Sequence, residues 1–398
     1  MKKTLSLVAL LAAGTSQAAG FQINTQSSRS TGMANASVGW LNDSAAVYYN
    51  AANILGDAKL DVQVGDTGIL PTLKFTPEGG ATQGQKTTLS PPPHLFATYK
   101  VMDKLAVGLG IYTPFGARSR WVDDFVGRFR ARESAMAVYN INPTVAYQVH
   151  ERFRIGAGLD IGRGTLELKR ALDFVESEGN VHLGGGAWGI GANVGVQGVV
   201  VPDLLSVGVH YRSPMKLTFK GDADFQDVPA EFQARLADTI VQGDVTLPQQ
   251  ISAGVAVTPL KNLTLAFDAN WVDWSDFEQL AIEFPENPAL NNPLPKRWKA
   301  TWNFHLGGEY GVTDALKVRA GVLLDPSPSP QDTLTPDLPD ADRFAVTGGL
   351  GYAFGALRAD VGYQFVTLSD NDSVAPGVPG RYNGQAHVFS LTLGYSMK

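Results

Sequence analysis

Most of the chain repeats one pattern: about ten or more residues in which apolar and polar positions alternate, followed by a turn. One such run is Phe153, Ile155, Ala157, Leu159, Ile161; another is Leu205, Val207, Val209, Tyr211. The spacing recurs at Leu263, Leu265, Phe267, Ala269, Trp271, at Leu316, Val318, Ala320, Val322, Leu324, and at Leu357, Ala359, Val361, Tyr363, Phe365. The positions between are mostly Gly, Ser, Thr, Asn, Asp, Lys or Arg. A period of two gives each strand one apolar and one polar face. Strands of soluble sandwiches are usually shorter. A strand that crosses a bilayer needs this length, with its apolar face toward lipid and its polar face toward the lumen.

The turns fall into two classes that alternate along the chain. Short ones are expected near residues 102–104, 150–152, 202–203, 258–262, 313–314 and 354–355, and long connectors near 75–92, 117–133, 169–186, 222–244, 284–297, 326–341 and 370–384. Bacterial barrels have short periplasmic turns and long outer loops, and an even number of strands. Six short turns and seven long connectors predict an all-β fold, a transmembrane antiparallel β-barrel of about fourteen strands over 57–398, with both termini periplasmic. The last strand carries Phe389, Leu391, Leu393, Tyr395 and Met397, and the chain ends on Lys398 rather than an aromatic. Residues 19–56 do not alternate; their small, polar composition fits an internal plug or a tail.

Composition narrows the class. The chain opens with Met1-Lys2-Lys3, an apolar run from Leu5 to Ala13, and small residues before a cut after Ala18. That is the form of a secretory signal peptide, so 1–18 is set apart from the fold. Without Lys2 and Lys3 the formal charge moves from −6 to −8, which argues against nucleic acid as a partner. With no cysteine, disulfides and thiolate metal sites are excluded. The long uncharged stretch from Leu183 to Pro202 alternates along Trp188, Ile190, Ala192, Val194 and Val196, as a strand would. The six histidines are scattered, and neither G-x-S-x-G nor H-E-x-x-H occurs. An enzyme, a metal site and a cofactor are therefore not expected. A general porin is a rival, but a porin keeps an open lumen.

Several stretches together resemble the long-chain fatty acid transporter family of Gram-negative outer membranes (the FadL/TodX type). They are Ala19-Gly20-Phe21-Gln22, Tyr211-Arg212-Ser213 with Lys216 and Phe219-Lys220-Gly221, Trp274-Ser275-Asp276-Phe277, and Thr301-Trp302 with Leu306-Gly307 and Arg319-x-Gly321. Asp325-Pro326-Ser327-Pro328-Ser329-Pro330, Pro339-Asp340-x-Asp342-Arg343-Phe344, Ala386-His387 and Tyr395 complete the series. The resemblance implies a barrel closed by an N-terminal hatch over 19–56, and diffusive uptake of hydrophobic small molecules, long-chain fatty acids first and neutral aromatic hydrocarbons as the alternative. The family's Asn-Pro-Ala hatch motif corresponds here to Asn50-Ala51-Ala52, without the proline. The loop 169–186, which would help form an outer groove, is short for the family.

Three groups of residues are candidates for handling such a cargo. Phe115, Trp121, Phe125 and Phe129 lie in an arginine-rich loop, and the last three would form one stripe if helical. They would serve capture at the surface, or pack on the rim while the arginines hold lipopolysaccharide. Opposite parity to the apolar face would turn Arg154, Arg212, Lys216, Lys317, Arg319 and Arg358 into the lumen, with Asp160, Asp268, Glu309 and Asp360. Such charges usually pair; Arg212, Lys216 and Arg319 are the candidate carboxylate partners. Pro114 and Gly116, late in the third strand, would break its pairing and open the wall sideways, or simply end the strand. The expected surroundings are outer-membrane lipid and lipopolysaccharide, and the expected state is a monomer.

Overall fold

The computed structural model describes residues 20–398; the expected signal peptide, 1–18, lies outside the described residues. Seventeen β-segments form one closed sheet. One is a two-residue piece, Gln83–Gly84, and two strands are each interrupted once, which leaves fourteen. They are β1 (Leu60–Pro77), β2 (Pro93–Met102), β3 (Leu105–Arg120), β4 (Glu133–His150), β5 (Phe153–Asp173), β6 (Glu178–Val201), β7 (Leu205–Arg212 with Met215–Gln226) and β8 (Thr239–Leu247 with Gln250–Leu260). The rest are β9 (Leu263–Val272), β10 (Thr301–Gly311), β11 (Leu316–Asp325), β12 (Arg343–Phe354), β13 (Leu357–Ser373) and β14 (Gly380–Met397). β1 closes the ring on β14, in register from Leu60↔Met397 to Pro77↔Gly380.

One expected loop is absent. β5 and β6 pair as far as Asp173↔Glu178, so residues 169–186 form a tall hairpin with a turn at 174–177. The alternation changes sense there, and this hides it in the sequence. Near the short turns the outward positions are apolar: Trp188 is 65% and Ile190 74% exposed, while Asp160 and Asn193 are buried in the lumen. Toward the long loops Arg163 and Glu167 face out and Leu166 and Leu168 face in.

β7 and β8 make the same inversion by a shift of register. Ser213-Pro214 and Pro248-Gln249 interrupt them side by side, between Arg212↔Gln250 and Met215↔Leu247. Neither proline can donate to the ladder. Before the break the even positions Gly208, His210 and Arg212 face in; after it the odd positions Met215, Leu217 and Phe219 do. The outer part of the barrel is thus apolar inside and polar outside.

Residues 20–59 run within the ring as short turns, α1 (Ser28–Gly32), α2 (Ala46–Tyr49) and a 3₁₀ turn at Ala51–Ile54. Glycines on the wall allow close approach: a Cβ at Gly156 would lie 2.4 Å from the Ala51 carbonyl, and one at Gly195 2.1 Å from Asn50 Oδ1. The amides of Ser37 and Val38 donate to Asp268 Oδ2 on β9 at 2.6 and 2.9 Å. Arg29 binds Glu309 at 2.9 Å and Asp43 at 3.2 Å, and Arg358 binds Asp61 at 3.0 Å.

Candidate transport path

The inverted outer part encloses apolar space. A groove of about 700 Å³ is lined by Leu172, Leu183, Phe225, Leu236, Phe284 and Leu290. Arg130 and Arg170 also line it, and neither has an ion pair among the described residues. Arg130 donates to the Pro376 carbonyl at 2.8 Å. A second apolar cavity, about 370 Å³, shares Ser134, Leu168 and Asp337 with the groove. A third, about 590 Å³, shares Ala117, Asp337 and Leu338 with the second.

Asp337, in the loop between β11 and β12, therefore stands at both junctions. Its Oδ2 accepts from Lys296 Nζ at 2.7 Å, and the same ammonium donates to Thr335 Oγ1 at 2.8 Å. Burial raises the Asp337 carboxyl, but the Lys296 charge and hydrogen bonds outweigh it and hold it below the usual carboxylate value. Asp340 lies deeper in the same loop. There burial outweighs Arg343 and the carboxyl is raised; its Oδ2 accepts from the Gly20 amide at 3.2 Å.

The third cavity backs onto a gap in the strand pairing of the wall, spanned by residues 83–92. β2 pairs with β1 only to Asp66↔Pro93 and with β3 only to Leu95↔Ile111. Beyond these points residues 78–92 cross between β1 and β3, held by Ser90 against Ile69 and by a 2.7 Å bond from the Lys86 amide to the Arg120 carbonyl. Pro71 and Leu73 of β1 and Ala117, Arg118 and Ser119 of β3 line the cavity at this place. On the lumenal side residues 21–23 lie along the free edge of β3. The Ile23 amide donates to the Pro114 carbonyl and the Gly116 amide to the Phe21 carbonyl, both at 2.8 Å. The β3–β4 register slips between Tyr112 and Phe115, around the proline.

The sequence-predicted residues are distributed unevenly around this path. Pro114 and Gly116 lie at the gap. Arg212 is lumenal, but Asp160 at 2.6 Å and Tyr112 at 2.9 Å occupy it. Arg319 is lumenal and lies between Glu309 and Asp360, each at 2.7 Å. Lys216 is not in the lumen: the shift at Ser213-Pro214 turns it to the outer surface, 2.6 Å from Asp244. The exposed aromatic stripe does not form either. Residues 121–131 make turns rather than a helix, and Trp121 stacks on Phe125 at 4.2 Å, buried against Phe75 and Tyr382. Phe115 packs in the lumen with Phe21 and Trp274, and Phe129 lies 4.5 Å under Arg128. The loop arginines Arg118 and Arg128 are bound by Glu133 and Glu178. Asn50 caps the 3₁₀ turn of Asn50-Ala51-Ala52 through the Ala52 amide and donates to the Val196 carbonyl of β6, both at 3.1 Å. Arg130 belongs to the arginine-rich loop that the sequence singled out, whereas sequence reasoning missed Arg170, Lys296 and Asp337. Only Arg170 had a signal, the shared parity of Leu166, Leu168, Arg170 and Leu172.

The family model for outer membrane protein transport proteins (OMPP1/FadL/TodX) matches residues 9–397. The chain belongs to this family. It is accordingly an outer-membrane barrel of the FadL/TodX transport type and not an enzyme. A putative outer membrane protein of Neisseria meningitidis serogroup B is 24% identical to it over 100% of this chain and 99% of its own. The long-chain fatty acid transport protein of Escherichia coli K12 is 23% identical, over 92% of this chain and 91% of its own. Among solved structures, a Pseudomonas aeruginosa FadL homologue superposes with a TM-score of 0.87 at 22% identity, covering 96% of this chain and 100% of that one. The Pseudomonas putida toluene transporter TodX gives 0.74 at 18% identity, covering 92% and 97%. Both share the FadL/TodX fold with this chain.

Proposed function

We propose that this FadL/TodX-type barrel takes up long-chain fatty acids by diffusion, capturing them in the outer groove and releasing them through the wall gap at Pro114. The observation that carries this is the groove itself. Apolar side chains line it, and Arg130 and Arg170 stand in it without carboxylate partners. An acyl tail and a carboxylate head need that pair of environments. The linked cavities then lead past Asp337 to the space behind the gap. The expected hatch, 19–56, speaks against an open porin. Outward Arg163, 5.5 Å from the Trp188 ring, stands where lipopolysaccharide phosphates would meet a monomeric barrel.

A neutral aromatic hydrocarbon is the second reading. It is favoured by the lumenal cations Arg212 and Arg319, whose charges are already taken up by acidic side chains. The test is uptake of a labelled long-chain fatty acid by cells with and without the protein, with toluene as competitor. Saturable, protein-dependent uptake that toluene leaves unchanged supports fatty acid cargo. Uptake that toluene blocks, or that deletion of the protein leaves unchanged, moves the cargo to the neutral class.

A further inference from the structure

Beneath the apolar path lies a chamber of the opposite character. It measures about 410 Å³, and Gln22 and Asn35 of the lumenal segment and His210, Ser252, Asn270 and His305 of the wall line it. The pairings His210↔Ser252, Ser252↔Asn270 and Asn270↔Asn303 place its polar floor in one row across β7 to β10. Directly above are Phe21, Leu247, Val272, Trp274 and Trp298 of the apolar cluster. The boundary falls between neighbours in the chain: Phe21 lines an apolar cavity and Gln22 the polar chamber. Gln22 is held there by a 2.8 Å bond to Gln250.

His210 and His305 are 5% and 3% exposed, yet His210 Nε2 and His305 Nδ1 have no hydrogen-bond partner among the described residues. Buried groups of this kind are nearly always partnered. The charged group lining the chamber, Arg212, is neutralised by Asp160 at 2.6 Å. What remains is a balanced set of neutral donors and acceptors in a space with room for several waters at about 30 Å³ each.

We propose that water fills this chamber and forms a hydrated floor under the apolar path, so that apolar cargo is refused the barrel axis and leaves only through the wall gap. This rests on the uptake reading above. The hydration is tested by X-ray hydroxyl-radical footprinting of the full chain in detergent, read by mass spectrometry and corrected for intrinsic reactivity. His210 and His305, with Tyr48 and Tyr49 that also line the chamber, should be oxidised several times faster than Phe21 and Trp274, although all six are buried. Equal, slow oxidation of both sets would overturn the proposal.

The routing is tested with His305→Phe combined with Asn270→Leu, which replaces polar lining by apolar lining. Fatty acid uptake should fall several-fold, and purified protein should release the ligand more slowly. Unchanged uptake and release, with the footprint at Tyr48 and Tyr49 abolished, would sink the routing role. Ser252→Val serves the same purpose if the double variant fails to migrate as a folded barrel on unheated gels. Wild-type cells that take up no fatty acid would end the uptake reading alone, and the footprint would still decide the hydration.

Discussion

Arg170 and Arg130 are side chains whose value depends on what they do not touch. Most other cations on this path are bound by acids: Arg118 by Glu133, Arg212 by Asp160, Lys296 by Asp337. A hydrogen bond to a charged group contributes about 1.5–3 kcal/mol. Arg170→Ala should therefore weaken fatty acid binding roughly tenfold and leave toluene binding unchanged, as titration calorimetry would read. Equal loss for both ligands would assign the groove's effect to shape. Asp337 carries the opposite logic, since its role is to stay paired. Its carboxyl is held below the usual value, so the fold favours the ionised form. That stabilisation is fully present above the ordinary value, about 3.9, and is lost as pH falls through the lower, folded value. The loops on either side of the Lys296–Asp337 pair should resist protease at neutral and mildly acidic pH, and loosen only below roughly pH 4. Lys296→Met would leave a buried carboxylate alone, at about 3–5 kcal/mol, and loosen them at any pH.

At the scale of the element, β3 makes the sharpest prediction. Pro114→Val restores an amide donor where the sheet now lacks one, so the wall gap should narrow. Uptake should slow while the yield of folded, heat-modifiable barrel stays constant; unchanged uptake would remove this strand from the exit. β3 was legible because a proline in a strand is a local signal. β9 to β14 were legible for a different reason: their alternation runs over long stretches, and register slips only near the outer end of β13, between Leu368 and Asn371. The failures occurred where the alternation changes. On β5 and β6 the sense inverts across Gly184-Gly185-Gly186, so the tall hairpin read as a loop. On β7 the frame slips at Ser213-Pro214, so Lys216, expected in the lumen, came out on the opposite face. The spacing of Trp121, Phe125 and Phe129 matched a helix, but the stacking of Trp121 on Phe125 is made by turns. The groove was legible only through the resemblance, which placed one near 169–186; its full lining was not, because Arg130, Leu236 and Phe284 meet only through the closure of the sheet.

For the molecule as a whole, the lumen is filled from the N-terminal side and fastened by charge. Arg29, Arg319 and Arg358 alternate with Asp43, Asp61, Glu309 and Asp360, and join the lumenal segment to β1, β10, β11 and β13. Planar bilayers holding the wild-type protein should show little steady salt conductance. Arg29→Ala should add brief open steps, because Glu309 and Asp43 lose their shared partner. Large steady steps from the wild type would mean that the segment does not block ions.

The inversion of the wall also fixes how high the barrel rides. Below it Leu159 and Val194 meet hydrocarbon; above it Lys220 cannot, and Arg163, paired with Trp188, marks the line. Drawing such cations toward the middle of a bilayer costs about 2–4 kcal/mol each. A barrel of this kind cannot sink, and it cannot rise without baring its apolar band to water. The same reversal that makes the outer third hold grease inside gives the protein a waterline, and it sets the height above the lipid at which cargo is met.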